Sequence, residues 1–162
     1  MRPSTDLPAP DSLVDLPCAC ATVRRAARAV TQLYDGHLRA TEIEGTQFAL
    51  LSVLRALGPC NQAAIGERFA LDKTTLSRNL RLLKNKGWIE AAEAADGRER
   101  RYVLTAAGGK RLGAARPAWR RAQEHLRASM SEKEWDAMWK VFRTLTTAAH
   151  TARRGLAARS KK

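Results

Sequence analysis

Lys73, Thr74, Thr75, Ser77, Arg78 and Arg81 stand close together in the chain, and Leu76, Leu80 and Leu83 fall among them at intervals of four and three. On a helix that spacing gathers the leucines into one buried stripe and leaves the cations and hydroxyls facing outward. Such a face offers donors. A guanidinium matches the acceptor edge of guanine, a hydroxyl meets a base edge or a phosphate, and a threonine methyl packs on a thymine methyl. An isolated basic helix can equally be a solvated surface, so its neighbours decide between the two readings.

The second cluster is Asp96-Gly97-Arg98-Glu99-Arg100-Arg101, a turn signal that carries three guanidinium groups. Arg98 and Arg100 are suited to the negative potential of a narrow minor groove, with Asp96 orienting one of them. Alone, the segment reads as a charged hairpin turn whose ion pair is worth at most about 1 kcal/mol.

Basic residues outnumber acidic ones 29 to 16, a formal charge of +13, and the pI is near 10.6. That balance favours a polyanionic partner. No apolar run approaches the roughly 18 to 20 residues a membrane span needs, so no membrane partner is expected. Cys18, Cys20 and Cys60 make an odd count, and residues 1–17, with Pro3, Pro8, Pro10 and Pro17, lack the features of an export leader. Reduced thiols and a cytoplasmic location are therefore expected. His37, His125 and His150 are dispersed, and Cys18-Ala19-Cys20 does not have the spacing of structural zinc ligands. Phosphate-binding glycine loops, nucleophile elbows and paired-carboxylate motifs are all missing, which argues against an enzyme and against a metal or other cofactor.

The elements that must position the two clusters follow from periodicity and caps. Val23, Ala27, Val30, Tyr34 and Leu38 mark a long amphipathic helix over Cys20 to Arg39. Phe48, Leu51 and Leu54 mark a second over Thr46 to Leu57, stopped by Gly58-Pro59. Asn61 caps a third with Ile65 and Phe69, and Asp72 caps the fourth, which carries the first cluster. Gly87 ends it. Trp88-Ile89 predicts a short strand, Arg101 to Leu104 its return, and Glu90 to Ala92 a connection between them. Thr105 caps a helix that runs toward Met130 and should bend or break at Pro117. Ser131 and Glu134 form a capping box before a stripe of Trp135, Met138, Phe142, Leu145 and Ala149, which calls for a partner helix. The expected fold is mainly α, a winged helix-turn-helix with a small β-hairpin wing and a helical dimerisation region.

Leu76-Ser77-Arg78, Leu83, Gly87, the Asp96 to Arg101 tip and Leu104-Thr105 followed by Gly108 have the order and spacing seen in the MarR (multiple antibiotic resistance regulator) family. The chain resembles that family over roughly residues 18–152, with Gln47-Phe48 and Trp119 also in matching places. The resemblance implies a homodimer in which the first, fifth and sixth helices pack together and two winged lobes straddle a pseudo-palindromic duplex DNA operator. Its half-sites would be about 34 to 36 Å apart. It further implies a repressor released by a small anionic aromatic or phenolic effector, with Arg24, Arg28, Tyr34, His37 and Trp119 as lining residues. In one branch of the family a peroxide-reactive cysteine and a tyrosine have the separation of Cys20 and Tyr34, which makes Cys20 a redox candidate. Arg24 and Gly45 stand where that branch has further tyrosines, and Cys18, two positions away on a helix, would point away from Cys20. Glu90-Ala91-Ala92 replaces a segment in which many relatives carry an arginine, and Glu44 occupies a cap position where threonine is common.

The expected organisation is an N-terminal arm over residues 1–17, a first dimerisation helix over 18–45, a DNA-binding lobe over 46–104, dimerisation helices over 105–152 and a frayed basic tail over 153–162. A reading of another class is a sequence-indifferent architectural DNA binder, favoured by the charge and the tail.

Overall fold

A computed structural model of the chain describes residues 18–69, 73–93 and 100–159. Asp72 and the Asp96 to Glu99 part of the tip lie outside the described residues, as does the arm over residues 1–17. The chain forms two compact units, one ending at Trp119 and the other starting at Arg120.

The first unit begins with α1 (Ala19–Leu38), which continues into a 3-10 turn (Arg39–Thr41), and α2 (Gly45–Leu57) follows. Glu42, between them, takes a left-handed backbone with φ 55°. Thr41 and Glu42 are held by Arg111, whose guanidinium donates to the Thr41 carbonyl at 2.8 Å and to the Glu42 carboxylate at 3.2 Å. The start of α2 is fastened from α1, since Asp35 Oδ1 accepts the Gly45 N–H at 2.7 Å. That carboxylate satisfies a donor which helix geometry would otherwise orphan, and its charge sits at the positive end of α2.

Next come β1 (Cys60–Asn61), α3 (Gln62–Phe69) and α4 (Lys73–Asn85), then β2 (Ile89–Glu93), β3 (Arg100–Leu104) and the start of α5 (Ala106–Ala128). Asn61 caps α3 as expected, its Oδ1 accepting the Ala64 N–H at 2.9 Å. The hairpin is part of a three-stranded antiparallel sheet in the order β1-β3-β2, with Cys60 opposite Tyr102 and Ile89 opposite Leu104. Glu90, Ala91 and Ala92 belong to β2, opposite Val103, Tyr102 and Arg101. They are not the connection expected for them, because ladder pairing with β3 outweighs the weak strand preference of Glu and Ala. The core of the unit is one cluster that includes Leu38, Leu50, Leu51, Leu54, Ile65, Leu76, Leu80, Leu83, Ile89 and Leu112.

Gly87 closes α4 with φ 68°, where a Cβ would be strained. Its N–H bonds to the Lys84 carbonyl at 2.9 Å, and the Trp88 N–H reaches back to Leu83 at 3.0 Å. This is the paired C-cap that turns a helix sharply into the next segment. Thr105 completes the junction: its hydroxyl donates to the Gly87 carbonyl at 2.7 Å, its N–H donates to the Trp88 carbonyl at 3.1 Å, and its Oγ1 accepts the Gly108 N–H at 3.0 Å. Gly108 lies so close to the Trp88 carbonyl that a Cβ there would overlap the oxygen. The Trp88 ring has Lys86 Nζ at 4.4 Å and the Arg111 guanidinium at 5.4 Å from its centre.

α5 runs unbroken across Pro117 and is not divided there. Proline removes one helical donor, but Leu112, Ala115 and Ala118 are buried on either side of it and hold the helical path. In the second unit, the end of α5 leads to α6 (Glu132–Arg159). Its capping box is present, with the Ser131 N–H donating to Glu134 Oε2 at 2.8 Å and Ser131 Oγ accepting the Glu134 N–H at 3.3 Å. Hydrogen bonds with Ser131 lower the Glu134 pKa. α6 extends through Arg159, so most of the segment expected to fray is helical. Ala, Arg and Leu dominate its last turns and are strong helix formers. Trp139 and Phe142 remain 48% and 42% exposed, and Leu156 68%.

Candidate nucleic-acid interface

α3 and α4, joined by residues 70–72, make the helix-turn-helix, and the three leucines of α4 do what their spacing predicts. Leu76, Leu80 and Leu83 are buried, while Lys73, Thr74, Thr75, Ser77, Arg78 and Arg81 are exposed. Burying each leucine contributes about 1.5 to 3 kcal/mol, which fixes the rotation of α4 and so determines which side chains face solvent.

A hydrogen bond that periodicity does not reveal braces this face. Gln62, the first residue of α3, donates from Nε2 to Ser77 Oγ at 2.6 Å and to the Lys73 carbonyl at 3.2 Å. Ser77 is thereby held as an acceptor, with its own O–H directed elsewhere. Asn79 Nδ2 bonds back to the Thr75 carbonyl at 3.0 Å. The only signal for Gln62 in the sequence is a polar residue just after a helix cap, which is too common to single out.

Arg100 is exposed at the start of β3, opposite Glu93 in the ladder. Arg98 lies outside the described residues.

A separate cleft of about 530 Å³ opens between α1, α2 and the Trp119 region of α5. Of the five candidate effector residues, Tyr34 and Trp119 line it, whereas Arg24, Arg28 and His37 do not. Arg24 and Arg28 are exposed elsewhere on α1. The other walls are residues that periodicity marks only as core or does not single out, among them Thr31, Thr46, Phe48, Ser52 and Phe69. Phe48 and Trp119 stack with centroids 5.6 Å apart and planes inclined by 16°. Burial raises the Tyr34 pKa above its ordinary value, so its phenol is a neutral donor near pH 7.

Cys20 is exposed in the first turn of α1. Cys18 is exposed too, and it is the extended N-cap residue before α1, with φ −98° and ψ 109°. The expectation that Cys18 points away from Cys20 assumes a shared helix, and Cys18 precedes the first residue of α1. Cys60 is buried, which raises its pKa and keeps it a thiol.

The MarR family model matches residues 41–99. The chain is 36% identical to the Mycobacterium tuberculosis transcriptional regulator MosR, whose structure was solved in complex with DNA. The match covers 84% of this chain and 98% of that one, with a TM-score of 0.76. A probable transcriptional regulator from Pseudomonas aeruginosa is 26% identical, over 79% of this chain and 96% of its own, with a TM-score of 0.70. YwoH of Bacillus subtilis (strain 168), an uncharacterized HTH-type transcriptional regulator, is 24% identical over 75% of this chain and 88% of its own length. Among the described residues no helix is long and apolar enough to cross a membrane. With its braced, outward-facing α4, its wing strands and these likenesses, the chain belongs to the MarR family of DNA-binding winged helix-turn-helix transcription regulators.

Proposed function

We propose that the chain is a cytoplasmic homodimeric repressor that holds a pseudo-palindromic duplex operator and releases it when a small molecule enters the Tyr34–Trp119 cleft. The observation that carries the DNA contacts is the exposed face of α4 over its buried leucines. Lys73, Thr74, Thr75, Ser77, Arg78 and Arg81 would enter the major groove, with Arg98 and Arg100 on flanking backbone or minor groove. The apolar face of α6 supports pairing through that helix, since Phe142 of the expected stripe and the neighbouring Trp139 are large side chains open to solvent that a second copy would cover. A ligand shifts operator affinity only as far as it binds the two DNA-binding states differently.

The test is to select bound fragments from genomic DNA and compete the enriched duplex against random duplex at fixed salt. Preference for the selected duplex by a factor of about 10³ or more is expected, and equal affinity would make the chain an architectural binder. Gln62→Ala supplies a second check. Losing the brace on Ser77 should weaken operator binding about fivefold, equivalent to roughly 1 kcal/mol, with little change in melting temperature because the bonds are exposed.

The exposure of Cys20 and Cys18 favours a second reading, release by oxidation of Cys20. Under that reading Cys20→Ser keeps its operator affinity and no longer releases DNA on peroxide treatment. Normal release by the variant would sink it.

A further inference from the structure

The cleft is lined by aromatic rings, small aliphatic groups and hydroxyls, and among the described residues its walls include no Lys, Arg, His, Asp or Glu. Its volume falls within the range of about 300 to 1,000 Å³ that small-molecule sites occupy. The polar groups there are Thr31, Tyr34, Thr46 and Ser52, all neutral, and Ser52 donates to the Phe48 carbonyl at 2.8 Å. Beside the cleft, the Asp35 carboxylate is fixed on the Gly45 N–H, and Gly45 is itself part of the wall. An aromatic carboxylate entering this space would give up its hydration for neutral hydroxyls while approaching a fixed negative charge. An uncharged ring loses little hydration and gains the faces of Phe48 and Trp119.

We infer that the cleft selects uncharged aromatic molecules bearing a neutral hydrogen-bonding substituent, and discriminates against aromatic carboxylates. It narrows the anionic aromatic or phenolic class that the resemblance implies, since the cationic candidates Arg24, Arg28 and His37 are not in the wall. It rests on the reading of the cleft as an effector site.

The test uses 4-hydroxybenzamide and 4-hydroxybenzoate, a pair matched in size and differing in charge, titrated into the full chain by calorimetry near pH 7. The amide should bind at least tenfold more tightly, and its binding heat should vanish in Ala49→Phe, which fills the wall, with folding checked by circular dichroism. Ser52→Leu serves in its place if Ala49→Phe does not fold. Equal or tighter binding of the benzoate, binding that survives in the folded wall variant, or no binding of either probe at millimolar concentration would overturn the inference. Operator affinity measured with and without the amide separates the two readings. Tight amide binding that leaves DNA affinity unchanged removes the effector role and keeps the ligand class.

Discussion

Gly108→Ala should lower the melting temperature by about 6 to 12 °C, corresponding to roughly 3 kcal/mol for a chain of this size. The added Cβ would overlap the Trp88 carbonyl oxygen and fall 2.9 Å from Leu104 Cδ1, and the first of these is backbone that no rotamer change can move aside. Relief requires α5 to lift from the end of α4, which stretches the Thr105 bonds to Gly87 and Trp88. Gly109→Ala is the control. Its Cβ meets only Leu104 Cδ2 at 4.0 Å, so the better helix propensity of alanine should leave stability unchanged or raise it by up to about 1 kcal/mol. Thermal melts of the two variants by circular dichroism provide the comparison, and matching losses would show that the close approach at Gly108 does not matter.

Arg78→Ala should reduce affinity for the selected operator by about 5- to 150-fold, or 1 to 3 kcal/mol, and relax base preference at one position of each half-site. Arg78 is exposed one residue beyond Ser77, the side chain that Gln62 braces, so it extends from a part of α4 that is already held in place. Arg100→Ala provides the contrast. As an exposed group at the end of a strand, it should weaken all duplexes alike and flatten the salt slope by about one for each phosphate it neutralises. Binding titrations at several salt concentrations with operator and random duplex distinguish the two behaviours. If both variants bind as the parent does, the interface lies elsewhere.

What can be read from the sequence is information carried by near neighbours along the chain. The Leu76, Leu80 and Leu83 stripe, the Asn61 cap, the Thr105 cap, the Ser131–Glu134 box and the Gly87 stop each depend on residues a few positions apart. What escapes it depends on partners far apart in sequence. β1 is a short strand that exists because β3, much later in the chain, pairs with it. The same separation hides the pull of β3 on Glu90 to Ala92, and the burial around Pro117 is equally out of view. The site shows the same division: the outward face of α4 follows from its own period, whereas the brace from Gln62 and the neutral walls of the cleft need the third dimension.

The Gly87–Thr105 junction also has a mechanical consequence. It ties the C-terminal end of α4 to the return of β3 and to the first turn of α5, so that three elements share one hydrogen-bonded base. The end of α4 and the end of β3 are therefore coupled through one residue. A displacement of the first turn of α5 would have to stretch the Thr105 bonds before it could leave α4 behind.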